Sequence, residues 1–136
     1  MIRALVMTHG QIGTELVRVV EMILGPIEGL DASSNSGLSA EDITSQVEAW
    51  LAPVVGDEQE APERAPTLIL VDDYGGSCAH AAQLACGDRP DSAVLSGVNL
   101  AMLLGFVTWR DSSDFNDLVH RLVQKGREAI TIVGNR

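Results

Sequence analysis

The chain has 136 residues, 46% of them hydrophobic and 21% charged, with a formal net charge of −10. That length and apolar content suit one core, hence a single domain over 1–136. The charge argues against nucleic acid or an anionic membrane surface as a partner and favours basic proteins. No run approaches the roughly 20 apolar residues of a membrane span, and no small-residue cleavage site follows the apolar start. The expected location is cytoplasmic, with no insertion into the membrane.

In chain order, Ile2–Thr8 is a short apolar run stopped by Gly10, as expected of a strand buried on both faces. Gln11–Leu24 follows with Ile12, Leu16, Val19, Val20 and Ile23 at offsets of 3 and 4, the stripe of an amphipathic helix that Gly25-Pro26 ends. Ile27–Leu30 reads as a weak second strand. The Ser-, Asn- and Gly-rich stretch 31–37 reads as a loop. Ser39 and Asp42 have the spacing of a capping box ahead of a helix with the stripe Ile43, Val47, Trp50 and Leu51. The proline- and acid-rich stretch 54–66, with Asp57–Glu63 at its centre, is expected to be a surface linker.

Thr67–Val71 is the strongest strand signal, and it runs into Asp72-Asp73. Gly75-Gly76-Ser77 then opens a helix to about Cys86, with Ser77 as its N-cap. Cys78 and Cys86 lie eight residues apart, about 12 Å along such a helix, too far for a disulfide. Two cysteines at that spacing make no zinc site either, so reduced thiols are expected. Ser92–Ser96 is a fourth strand, Leu100–Trp109 a helix, and Asp114 or Ser113 caps a last helix with the stripe Leu118, Val119, Leu122 and Val123 up to Gly126. Ala129–Val133 reads as a final strand.

Alternating strands and helices imply an α/β fold, a doubly wound, mainly parallel sheet covered on both faces. In such folds ligands gather at the carboxyl ends of the strands, where the strand order reverses. For the order 2-1-3-4 that point lies between Thr8-His9-Gly10 and Asp72-Asp73. Histidine is nucleophilic near neutral pH, and a carboxylate on its other ring nitrogen would fix the tautomer. Asp72 is the first candidate for that carboxylate and Asp73 the alternative, since one residue reverses the face of a strand. Gly10 and Gly76 permit close approach of amides at helix N-termini, and Ser77 adds a hydroxyl, as phosphate oxygens require. Asp73 and Asn99 are rim candidates. His80 and His120 are expected at the surface, and Trp50 and Trp109 in core or subunit contacts.

These blocks carry a family resemblance. Thr8-His9-Gly10, Glu21-Met22-Ile23-Leu24-Gly25, Leu70-Val71-Asp72-Asp73-Tyr74-Gly75-Gly76-Ser77, Gly97-Val98-Asn99-Leu100-Ala101-Met102-Leu103 and Gly126-Arg127-Glu128 together resemble the A component of a mannose-family enzyme II. That enzyme belongs to the bacterial phosphoenolpyruvate-dependent sugar phosphotransferase system, and the resemblance covers nearly the whole chain. It implies a phosphotransferase component without cofactor or metal. His9 would take a phosphoryl group on Nε2 from the histidine-containing phosphocarrier protein and pass it to an enzyme II B component. Asp72 would hold Nδ1, and Ser77 would stand beside the phosphoryl group.

The resemblance further implies a homodimer that exchanges an edge strand near the C-terminus. Cys78 stands where the family commonly has proline after Gly-Gly-Ser, and Ala101 replaces another proline. The competing expectations are a regulatory module whose binding changes when His9 is phosphorylated, and the phosphocarrier subunit of a dihydroxyacetone kinase. A receiver-like domain would need acidic residues at the end of the first strand, where Thr8-His9 stands. Neither the sugar nor the recipient of the phosphoryl group is legible in the chain.

Overall fold

A computed structural model describes residues 1–52 and 65–135. The described elements run β1 (Arg3–Thr8), α1 (Ile12–Leu24), β2 (Leu30–Ser34), α2 (Ala40–Leu51), β3 (Thr67–Val71), α3 (Ser77–Cys86), β4 (Ser92–Ser96), α4 (Leu100–Trp109) and α5 (Phe115–Glu128). The described strands form one parallel sheet in the order β2-β1-β3-β4, so the chain has the expected α/β fold. The expected linker lies for the most part outside the described residues.

The parity of each central strand sorts the two faces, because successive side chains point to opposite sides. Ala4 and Val6 of β1 and Leu68 and Leu70 of β3 face α1, α4 and α5, where they meet Val17, Val20, Met102, Leu103, Phe106, Leu118 and Leu122. Leu5, Met7, Ile69 and Val71 face α2 and α3, against Ile43, Val47, Leu51 and the small residues Cys78, Ala79, Ala81 and Ala82. Every residue of β3 is buried, which explains its uninterrupted apolar sequence. Small side chains on α3 let that helix lie close to the sheet and to α2.

Helix starts follow the expected capping chemistry. The Ser39 hydroxyl accepts from the Asp42 amide at 3.1 Å, and the Asp42 carboxylate accepts from the Ser39 amide at 3.2 Å, a closed capping box. Asn99 and Asp114 cap α4 and α5 by accepting from the Met102 and Asp117 amides, without the reciprocal half of the box.

Four expectations need correction. The second strand is Leu30–Ser34, not Ile27–Leu30, so most of the serine-rich stretch is an edge strand paired with β1 from Ala4↔Leu30 to Thr8↔Ser34. The buried face of α1 is Gly13, Val17 and Val20, whereas Ile12 and Ile23 are exposed. Gly13 sets this rotation: a Cβ there would lie 3.1 Å from Val6 and Thr8 atoms, so the bare backbone packs on the strand. Gly76, not Ser77, is the N-cap of α3. Finally, 129–133 forms no strand with the described residues, and Ile130, Ile132 and Val133 are 81%, 70% and 93% exposed. In one chain this segment follows α5 directly and pairs with no described sheet edge.

Candidate functional site

Strands β1 and β3 are adjacent and parallel with Met7 opposite Val71. The next residues of both, Thr8-His9 and Asp72, therefore leave the sheet at the same level, beside each other at its carboxyl edge. Here the His9 amide donates to Asp72 Oδ2 at 3.0 Å, and His9 Nδ1 lies 2.9 Å from the same oxygen. An ionised carboxylate only accepts, so Nδ1 carries the proton in that contact. Nε2 is then the nitrogen with a free lone pair in the neutral ring.

The two side chains differ in exposure, His9 at 47% and Asp72 at 17%. Burial of Asp72 raises its carboxyl, but the hydrogen bonds from the His9 amide and ring, with the charge of the ring, outweigh it. The net result is a carboxyl held below its ordinary value, and so a charged partner for the ring. The other carboxylate oxygen, Oδ1, is buried and has no hydrogen-bond partner among the described residues.

Glycine brings the ring against the backbone. A Cβ on Gly76 would lie 3.0 Å from His9 Cε1, so only a bare α-carbon leaves the imidazole its place. As the N-cap of α3, Gly76 supplies no side-chain acceptor to the helix's first amides. The first backbone bond of that helix runs from the His80 amide to the Gly76 carbonyl. The amides of Ser77, Cys78 and Ala79 thus stand at a helix N-terminus with no acid in its first turn, an arrangement that favours an anion. Ser77 is exposed there.

On the other side of the ring, Gly10 has φ +55° and turns the chain from β1 into α1. Its amide donates to Asn35 Oδ1 at 3.3 Å. The buried Thr8 hydroxyl accepts from the Gly13 amide at 2.7 Å, doing for α1 what the Gln11 side chain does not. Neither supporting role was expected. Asn35 falls beside Gly10 because Thr8 pairs with Ser34, and placing the second strand at 27–30 hid that. Thr8 could have been found as a hydroxyl five residues ahead of the helical glycine.

Of the expected site residues, His9, Asp72, Gly10, Gly76 and Ser77 meet at this edge, and Asp72 rather than Asp73 pairs with His9. Asp73 is exposed and accepts from the Gly75 amide at 3.4 Å, a turn contact. Asn99 is occupied in joining two helices, accepting from the Met102 amide at 2.9 Å and donating to the Gly126 carbonyl at 3.0 Å. His80 and His120 are exposed. Trp50 is half-buried, donating to Asp31 at 2.8 Å under the Arg3 guanidinium, and Trp109 lies under Arg121. Both cysteines are free and buried.

Fold and site together define a class: a doubly wound domain with a carboxylate-anchored histidine beside helix N-termini at the switch point of its sheet. The model of one family, described as the fructose IIA component of the phosphotransferase system, matches residues 3–123. The mannose-specific EIIAB component of Escherichia coli K12 is 33% identical over 125 residues, covering 90% of this chain and 36% of that protein. The component of the same name from Shigella flexneri gives the same figures. The mannose/sorbose-specific IIA subunit of Enterococcus faecalis superposes with a TM-score of 0.70 at 28% identity, covering 98% of this chain and 96% of that one. A phosphotransferase system EIIA component of Streptococcus agalactiae shares the fold, with a TM-score of 0.80 at 24% identity over 97% of both chains.

The chain belongs to the EIIA-man family of phosphotransferase system components. It spans about a third of the length of the enterobacterial relatives it matches. No helix among its described residues is long and apolar enough to cross a membrane.

Proposed function

We propose that this chain is a phosphocarrier domain of a mannose-type sugar phosphotransferase system, with His9 as its phosphoryl acceptor. The observation that carries the reading is the 2.9 Å contact of His9 Nδ1 with Asp72 Oδ2. It leaves Nε2 free on a half-exposed ring at the edge of the sheet.

In the forward step, the Nε2 lone pair attacks the phosphorus of a phosphohistidine on the histidine-containing phosphocarrier protein. The new P–N bond forms as the donor's P–N bond breaks, and the donor imidazole leaves with that electron pair. The His9 ring gains positive charge, which Asp72 offsets without taking the Nδ1 proton. Gly10, whose amide is held by Asn35, shapes the turn beside the ring, while the equatorial oxygens meet the amides of the α3 N-terminus after Gly76 and the Ser77 hydroxyl. These are donors set in place before reaction. Phosphate then passes to an enzyme II B component by the same in-line geometry. No bound metal or cofactor has a step in this relay.

Two further parts of the reading rest on the family and on charge. The protein works in the cytoplasm as a homodimer, and its net charge of −10 suits a carrier with a basic docking face. The test is incubation with phosphoenolpyruvate, enzyme I and the histidine-containing phosphocarrier protein, comparing wild type with His9→Ala. Acid-labile, base-stable phosphate on the wild type alone is the expected result; labelling of a folded His9→Ala protein would overturn the assignment.

A further inference from the structure

The site holds one group that the phosphoryl relay does not use. Cys78, the second residue of α3, is completely buried beneath the His9–Asp72 pair. Its Sγ, an oxygen of Asp72 and a ring nitrogen of His9 all lie within 4.8 Å of one another. Burial, and then the neighbouring Asp72 charge, hold its thiol above the ordinary value, so the thiol is an inert filler until something replaces its proton. Asp72 Oδ1, buried and without a hydrogen-bond partner among the described residues, is a free lone-pair donor in the same cluster.

We propose that His9, Asp72 and Cys78 form a three-ligand site for a thiophilic divalent cation of the zinc type, and that the cation switches the phosphoryl acceptor off. A thiolate, an imidazole and a carboxylate are the zinc donor set, and three protein ligands with one open position describe an accessible rather than a closed site. Zinc–ligand bonds of about 2.0–2.3 Å place tetrahedral ligand atoms about 3.5 Å apart. The existing cluster thus needs shifts on the order of 1 Å to close on an ion. Soft sulfur selects zinc over magnesium or calcium, which prefer oxygen alone. The half-exposed ring of His9 leaves a path from solvent, and the net negative charge of the chain favours cation entry. On binding, the thiol gives up its proton to solvent and the sulfur bonds the metal; the imidazole binds through an unprotonated nitrogen, so coordination at Nδ1 moves that proton to Nε2 by way of solvent.

The consequence for function rests on the phosphocarrier reading, whereas the binding does not. A cation in this cluster takes the carboxylate that orients His9 and withdraws electron density from the imidazole. Phosphoryl acceptance falls at least tenfold while the ion is held.

Cobalt(II) added to the full-length protein, followed by displacement with zinc, tests the binding. A thiolate-to-cobalt charge-transfer band is expected in the wild type and in Cys86→Ser. In Cys78→Ser the band is expected to vanish. In His9→Ala and Asp72→Asn the affinity is expected to weaken by at least the roughly 10–100-fold that even outer-sphere partners are worth. Circular dichroism checks that each variant is folded, and two ligand variants remain if one is not. Absence of the band in the wild type, its persistence in Cys78→Ser, or its loss in Cys86→Ser would overturn the site. A second arm compares labelling of each protein with and without stoichiometric zinc. Zinc is expected to depress the wild type and to leave the ratio for Cys78→Ser near one. A cobalt band with zinc-insensitive labelling overturns the switch, while a wild type that takes no phosphate even without zinc overturns the phosphocarrier reading and leaves the binding result standing.

Discussion

The imidazole of His9 rests on the α-carbon of Gly76, so closely that a methyl group there would meet Cε1 at 3.0 Å. One residue thus both starts α3 and sets the height of the acceptor ring above it. Gly76→Ala must push the ring away from the helix, off the line between Asp72 and the α3 amides. A displacement on the order of 1 Å can cost about 100-fold in an in-line reaction. The helix itself loses little, about 1 kcal/mol or less for an N-cap glycine replaced by alanine. The initial labelling rate should therefore fall by one to two orders of magnitude while the thermal midpoint shifts by only a few degrees; an unchanged rate would show that the ring adapts.

Asp72→Asn tests the anchor through the tautomer. The carboxylate accepts from both the His9 amide and Nδ1; an amide oxygen can keep one of those bonds, while its NH₂ favours the opposite ring tautomer. Losing the carboxylate that fixes a tautomer in a comparable triad costs on the order of 10⁴ in rate. With a phosphoryl group arriving on Nε2, a loss of about 10²–10⁴ is expected. Nitrogen-resolved NMR should show Nδ1–H in the wild type and Nε2–H gaining ground in the variant. A rate within a factor of three of wild type would remove Asp72 from the mechanism.

The same pair gives a pH dependence of stability. Burial alone would raise the Asp72 carboxyl, but the His9 amide and ring together hold it below its ordinary value. A carboxyl lowered in the folded state contributes stability that is fully present above its unfolded value of about 3.9. That contribution is lost as pH falls through the lower, folded value. Chemical denaturation of wild type and Asp72→Asn should thus show a stability gap that is present above the unfolded value of about 3.9 and narrows as pH falls through the lower, folded value. A gap that widens on acidification would reverse the assigned direction.

Thr8 links the sheet to the site. Its hydroxyl is fully buried and accepts from the Gly13 amide at 2.7 Å, at the point where β1 becomes α1. Thr8→Val keeps the shape and leaves that amide without its acceptor. The cost should be about 1–2 kcal/mol in urea denaturation. Since His9 and Gly10 occupy the intervening turn, the labelling rate should fall as well. A variant as stable as the wild type would mean that water satisfies the amide.

The central parts of this architecture were legible because their physics is local. Thr67–Val71 is apolar throughout because it is buried on both faces, and Asp72 and His9 sit at the ends of the two strands whose adjacency follows from the parallel order. The edge of the sheet was not legible. Leu30–Ser34 pairs through its backbone with β1, and an edge strand needs no apolar alternation to do so, so a run of serines concealed it. The Asn35 contact with Gly10 was hidden with it. The rotation of α1 is hidden in the sequence because Ile12 and Ile23 look like core and are exposed, while Gly13, which shows no hydrophobicity, is the contact. In sequence Cys78 reads as one of two reduced thiols and as a departure from a proline; its place beside His9 and Asp72 depends on packing three separate elements.

The C-terminal segment yields the last prediction. Ile130, Ile132 and Val133 are 81%, 70% and 93% exposed, on alternate or adjacent positions of the stretch whose sequence reads as a strand. Burying three such side chains is worth about 1.5–3 kcal/mol each, more than a single chain obtains from leaving them in water. The outer edge of β4 pairs with no described strand, and a parallel sheet edge of that kind recruits another strand. Exchange of this segment between two copies would satisfy both. Light scattering at micromolar concentration should give twice the 14.5 kDa chain mass, and a chain truncated after Glu128 should give the monomer mass with a raised tendency to aggregate. A monomeric full-length protein, or a dimer that survives the truncation, would exclude strand exchange as the basis of assembly.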